Sequence, residues 1–200
     1  TPYLRVELTA PDNAAVNVGQ VIARGGSIGI YGSTIKNSGA VSATTATVGE
    51  NGKIVLKAAQ DVTLDAGSKL EANGPKGGEI TVHAEQGTLL ASGAVEAKGA
   101  DYKGGTVRLL GDRVGLLGNA SVDSSGAAGG GTALVGGDYQ GKNVEVQNAR
   151  QTFVADGATL TADATGHGDG GKVVVWADDW TRYHGIASAR GGALGGDGGL

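Results

Sequence analysis

The sequence has no cysteine, no methionine, only three prolines, and as aromatics just two Trp, five Tyr and one Phe. Without cysteine there is no disulfide and no thiolate metal site, which is compatible with export without requiring it. No apolar run approaches the roughly 20 residues of a membrane span, and no signal peptide is visible, so no membrane span is expected. No segment repeats apolar residues at a 3.6 spacing for long enough to form a helix. Sixteen basic and twenty acidic residues are well mixed, for a net charge of −4, with no polybasic patch. Nucleic acid is therefore not an expected partner. The start at Thr1 and the missing methionine mark the sequence as a piece of something longer.

Glycine is what the chain has in excess, 39 of 200 residues. At that share a linker would be the usual reading, but hydrophobic residues make up 40% and fall in register. The clearest unit is Gly170-Gly171-Lys172-Val173-Val174-Val175-Trp176-Ala177. In a strand of period two, Val173, Val175 and Ala177 share one face while Lys172, Val174 and Trp176 share the other. The unit recurs with its second glycine at positions 26, 52, 78, 105, 131, 171 and 199, in steps of 26, 26, 27, 26, 40 and 28.

Aligning the copies gives three inward columns. The first is Ile28, Ile54, Ile80, Val107, Ala133, Val173; the second is Ile30, Leu56, Val82, Leu109, Val135, Val175. The third is Gly32, Ala58, Ala84, Gly111, Gly137, Ala177. Between the glycine pairs an apolar-any-small signal repeats, as in Val41/Ala43, Leu70/Ala72, Val95/Ala97 and Leu160/Ala162, mostly after a glycine expected to turn the chain. A further short strand is best seen at Val62-Thr63-Leu64 and Val114-Gly115-Leu116. At the start, Leu4, Val6 and Leu8 alternate with Tyr3, Arg5 and Glu7, before a turn expected at Pro11-Asp12-Asn13.

Three short strands per period with aligned columns predict an all-β fold, a right-handed parallel β-helix of about seven coils of about 26 residues. At about 4.8 Å per coil the rod would be about 35 Å long. A β-sandwich is the alternative, and it explains the fixed period poorly. The whole of 1–200 reads as one segment with an insertion at 136–150, where the step of 40 falls; Val144 and Val146 there suggest a small strand pair.

The insertion's Gly136-Gly137-Asp138-Tyr139-Gln140-Gly141, the later Gly168-Asp169-Gly170-Gly171-Lys172-Val173-Val174-Val175-Trp176-Ala177-Asp178-Asp179, and Ser188-Ala189-Arg190-Gly191-Gly192 resemble filamentous-haemagglutinin-type exoproteins. These are the secreted substrates of two-partner secretion. The resemblance implies a β-helix passed through an outer-membrane pore by a dedicated transporter, at the bacterial cell surface and commonly in adhesion. Host or neighbouring-cell glycans or proteins would then be its partners. The family's amino-terminal secretion domain carries Asn-Pro-Asn motifs, and none occurs here. The resemblance therefore places the chain in the shaft, downstream of the secretion signal.

Other chemistry is thinner. Asp178, Asp179, Arg182 and His184, with His167 and Asp169, are the only grouping that suggests an acid–base pair, as in polysaccharide-cleaving β-helices. Consecutive aspartates in an extended chain point to opposite sides, so no catalysis is expected. Gly166-His167-Gly168-Asp169-Gly170 and Gly195-Gly196-Asp197-Gly198-Gly199 look like half of a calcium nonapeptide, but the period of 26 does not match a nine-residue repeat. No metal or cofactor is expected. Tyr139, Trp176, Trp180 and Tyr183 are the candidate partner-binding residues, because aromatics bunch there in a chain that has few. The competing functions are an adhesive shaft, a polysaccharide-active enzyme, and the stalk of a contact-dependent toxin.

Overall fold

In the computed structural model, which describes residues 4–48 and 51–200, the chain is all-β and has no α-helix among those residues. The first repeat holds β1 (Arg5–Asn17) and β2 (Gln20–Ile22); the second holds β3 (Ser27–Asn37) and β4 (Ala40–Ser42). The third has β5 (Lys53–Ala58), β6 (Val62–Leu64) and β7 (Lys69–Glu71). The fourth has β8 (Glu79–Ala91) and β9 (Ala94–Glu96), and the fifth β10 (Thr106–Leu116) and β11 (Ser121–Asp123). The sixth has β12 (Thr132–Val135), β13 (Gln151–Val154) and β14 (Thr159–Thr161). The last has β15 (Lys172–Val175), β16 (Trp180–Tyr183) and β17 (Ile186–Ser188).

The strands are joined in parallel, one repeat to the next. Ile28 stands beside Ile54, Ile54 beside Ile80, Ile80 beside Val107, Val107 beside Ala133, and Ala133 beside Val173. One sheet runs β1-β3-β5-β8-β10-β12-β15, with β6, β13 and β16 attached to it. The other collects the last strand of each repeat, β2-β4-β7-β9-β11-β14-β17. Between them the inward columns close into one core: Ile54, Leu56, Ile80 and Val82 are fully buried, whereas Lys53 and Lys57 are exposed. Glu79, expected outside, is half-buried because Arg108 and Lys53 both pair with it there.

The paired glycines answer to close approach. A Cβ on Gly105 would lie 2.0 Å from the carbonyl oxygen of Gly78, and one on Gly131 would lie 2.1 Å from that of Gly105. Backbones touch at this corner in successive repeats, so any side chain would force them apart. The glycines before the third strand divide between close approach and the turning role expected of them. Gly67 and Gly157 sit in turns closed by the Ser68 N–H on the Asp65 carbonyl (2.9 Å) and the Ala158 N–H on the Ala155 carbonyl (3.1 Å), and nothing crowds Gly67. Gly93 is not at positive φ, and a Cβ there would meet the Ser68 carbonyl oxygen at 2.5 Å.

Three expectations need correction. The turn at 11–13 is absent: β1 continues as strand, and its register against β3 slips between Ala10 and Ala14. A bulge of that kind bends a strand without ending it, and β8 carries the same surplus between Ala84 and Thr88, opposite Gly111 and Arg113 of β10. Tyr3 lies outside the described residues. In the third column Gly137 is replaced by Ala149, which is fully buried and beside Gly136, to whose carbonyl its N–H donates (2.6 Å). The extra residues therefore leave the repeat after Gly136 and rejoin it at Ala149. They form no strand; their regular piece is a 3-10 turn over Tyr139–Gly141.

Among the described residues, buried polar side-chain atoms find partners apart from Ser68 Oγ and Asn148 Oδ1. Asn37 accepts from Asn17 Nδ2 (2.7 Å) and donates to the Gly39 carbonyl (3.1 Å). Thr152 Oγ1 donates to the Trp176 carbonyl (2.7 Å). Near the carboxyl end Asp163 takes the Ser188 hydroxyl (2.6 Å), the Arg190 N–H (2.8 Å), and Nε and Nη2 of the Arg190 guanidinium (2.9 and 2.7 Å). Burial pushes its carboxyl up, but these donors outweigh it and hold it below the usual carboxylate range. The Ala-Arg-Gly-Gly signature thus staples the last repeat to the one before. Its earlier copy, Arg24, makes no ion pair among the described residues.

Candidate interaction surface

The insertion is a clasp lying on the outward face of the first strands. Outward-pointing Leu110, Leu134 and Val174 come from three successive repeats, and with Val146 of the insertion they make a second apolar cluster. They are only 5%, 4% and 7% exposed, although the alternation directs them to solvent. Trp176 packs against the same cluster. Gly141, at φ 63°, passes so close to the indole that a Cβ would lie 2.8 Å from its Nε1. The indole N–H itself donates to Asp178 (3.0 Å).

Polar contacts fix the clasp around this cluster. Asp138 accepts the Tyr139 N–H (2.7 Å), Asn143 Nδ2 (2.9 Å) and the Lys172 ammonium. The Asn143 hydrogen bond, followed by Lys172, lowers the Asp138 carboxyl from its usual 3.8 to about 2. Asn148 Nδ2 donates across the clasp to the Gly141 carbonyl (3.0 Å). Gln147 reaches back to the His83 ring and, through Nε2, to the Glu85 carbonyl (3.1 Å). Arg150 Nε donates to Asp112 (3.0 Å) at the neck. Residues 62 to 64 positions apart in sequence are joined in this way. A polar slot of about 330 Å³ opens between clasp and sheet, lined among others by Glu79, Arg108, Asp138, Asn143, Glu145 and Lys172. Burial raises the Glu79 carboxyl, and Arg108 and Lys53 more than reverse this.

The predicted aromatics divide between two places. Trp176 is under the clasp and Tyr139 is on it, 51% exposed. Trp180 and Tyr183 belong to β16, which pairs with β13 on the neighbouring face. Tyr183 occupies the inward register position opposite Val154, and burial raises its phenol above the usual range. Trp180 points outward, 39% exposed, with the Arg182 guanidinium carbon 5.1 Å from its ring centroid. Phe153, which the sequence did not single out, stands opposite Arg182 and meets the His184 ring at 5.9 Å between centroids.

The acid–base candidates do not converge. Asp178 is engaged by the Trp176 indole, and Asp179 is exposed on the following residue. Asp169 lies at another corner, where it accepts the Asp197 N–H (2.8 Å) from the next glycine turn. His167 is exposed beside it. Among the described residues no three His, Cys, Asp or Glu come together as metal ligands would. A larger cavity, about 610 Å³, lies far from the aromatics along the corner lined by Thr44, Asn73, Pro75, Lys98, Asp101 and Ser125. Among the described residues no helix is long and apolar enough to cross a membrane.

No protein-family profile and no curated protein matches the chain. Among solved structures it is similar to the HMW1 secretion domain from Haemophilus influenzae, with a TM-score of 0.67 and 28% sequence identity. The similarity covers 95% of this chain and 44% of that one, so the chain spans less than half the length of that domain. The likeness is to a secretion domain, which gives no support to the expected place in the shaft.

Proposed function

We propose that this chain is a segment of a secreted two-partner secretion exoprotein, carried across the outer membrane by a dedicated transporter and displayed at the bacterial surface. The observation that carries this reading is the likeness to the HMW1 secretion domain over nearly the whole chain. The Trp176-Ala177-Asp178-Asp179 and Ala189-Arg190-Gly191-Gly192 signatures support it. We place the segment in or beside the secretion region rather than in the shaft.

Architecturally it is a right-handed parallel β-helix. In-register parallel pairing from one repeat to the next supports the solenoid, and the strong preference of parallel crossovers for that hand supports the handedness. Its work is structural and adhesive, and not enzymatic. A stiff stack of strands holds surface groups at fixed spacing, while the carboxylates are spent on clasp and staple contacts. A host or neighbouring-cell glycan or protein would be its partner.

The test is export. The chain is fused behind a periplasmic leader and co-expressed with an outer-membrane two-partner transporter, and medium and periplasm are compared. Transporter-dependent appearance in the medium is the expected result. Retention in the periplasm, while a complete exoprotein is exported by the same transporter, would reject the reading.

A further inference from the structure

In a stack of repeats each repeat touches its neighbours, so coupling passes along the rod one step at a time. The bridges Lys53–Glu79, Lys98–Asp123 and Asp163–Arg190 follow that rule. The clasp does not. It leaves the sixth repeat, yet Gln147 passes over the whole fifth repeat to bond the His83 ring and the Glu85 carbonyl (3.1 Å) of the fourth. On the fifth repeat Arg150 Nε donates to Asp112 (3.0 Å), and Val146 packs in one cluster with Leu110. On the seventh, Asp138 holds Lys172, Gly141 lies against the Trp176 indole, and the Ala149 carbonyl takes the Asp178 N–H (2.8 Å). One short segment therefore grips four successive repeats. Its outermost partners, His83 and Lys172, stand three repeats apart, about 14 Å along the rod. Inward residues are wet at both ends of the stack. Leu8 of the first repeat is 44% exposed, and Val173 and Val175 of the seventh are only partly buried. Of these two end repeats, the seventh is the one the clasp holds.

We infer that the clasp is a latch: it makes the fourth to seventh repeats open and close as one unit, while the first three open separately from the exposed end. The latch seats fully only when both outermost partners are in place. Peeling off the seventh repeat takes Lys172 from Asp138 and Val174 and Trp176 from the cluster that holds Val146. Val146 is next to Gln147, so the grip on His83 and Glu85 loosens with it. Opening at one end of the unit is thus felt three repeats away without passing through the strand ladders between. Local opening then costs as much as opening the whole unit, and the rod resists fraying at that end. The latch stands on these contacts and does not depend on the export reading.

Hydrogen exchange of the whole chain, followed peptide by peptide through a denaturant series, tests the latch. Peptides from β8, β10, β12 and β15 should merge into one opening, and those from β1, β3 and β5 should exchange before them. Deleting residues 137–148 leaves three residues between Val135 and Gln151, as between their partners Leu109 and Arg113, so the strands can keep their register. In that variant β15 should open well before β8. Two single substitutions repeat the test without shortening the chain. Sites as far apart as His83 and Lys172 ordinarily act additively. Here both act through the clasp, so the denaturant midpoint of His83→Ala/Lys172→Ala should fall by clearly less than the two single shifts added together. Separate openings for β8 and β15 in the wild type, a common opening that survives the deletion, or additive midpoint shifts would each overturn the latch.

Discussion

Two outward faces of the same sheet have met opposite fates. On the first strands, Leu110, Leu134 and Val174 lie beneath the clasp and are nearly as buried as the core. On the second strands, Leu90, Phe153 and Trp180 stand in comparable outward positions with no inserted segment over them. The difference teaches that the strand pattern fixes only direction, inward or outward. Whether an outward side chain is wet depends on segments that cross from elsewhere, here twelve residues between Gly136 and Ala149. The covered face gains stability from its apolar contacts. The open one keeps its groups available.

The largest expected effect sets the scale for both faces. Ile80→Ala empties a fully buried site in the middle of the inward column and should cost roughly 2–5 kcal/mol. Denaturant titration measures it, and a loss within about 0.5 kcal/mol, typical of surface sites, would show the column is not a core. Leu134→Ala and Leu90→Ala then compare the faces directly. The first should cost about 2 kcal/mol, near the lower end for buried leucines. The second should cost no more than about 1 kcal/mol, because much of the side chain already meets water. Equal losses would erase the distinction between covered and open.

Asp138→Asn should have a smaller effect, about 1 kcal/mol, and one that depends on pH. The folded carboxyl is depressed from 3.8 to about 2, so its contribution is present above the unfolded value and lost as pH falls from about 4 to about 2. Wild type and variant should therefore differ at pH 7 and converge near pH 2. A difference that persists into acid would mean that the clasp does not depend on this charge.

Much of this was legible in the residues. The columns could be read because six copies of Ile, Leu, Val and Ala recur at one spacing, and a side chain with period two has no freedom to drift. The insertion announced itself as a step of 40. Its exact seat did not, because Gly137 and Ala149 both suit a small-residue column, and only the closure from Ala149 to Gly136 chooses between them. Val174 and Leu134 gave no local sign that they would be covered, since their cover lies elsewhere in the chain. Nor could spacing separate Trp176 from Trp180: four residues apart, they lie on either side of the corner at Ala177–Asp179. Phe153 was passed over as a single aromatic, and acquires meaning only beside Arg182 and His184.

The central claim is that the repeats stack in parallel register straight through the insertion. Because the chain lacks cysteine, engineered pairs report register cleanly. Ser121 stands opposite Thr159 across the inserted residues, whereas an uninterrupted step of 26 would bring Ser121 opposite Gln147. Parallel neighbours about 4.8 Å apart are within reach of a disulfide. Ser121→Cys/Thr159→Cys should therefore oxidise readily and to completion, and Ser121→Cys/Gln147→Cys should stay reduced. The opposite outcome would contradict the stacking register and the account of the clasp built upon it.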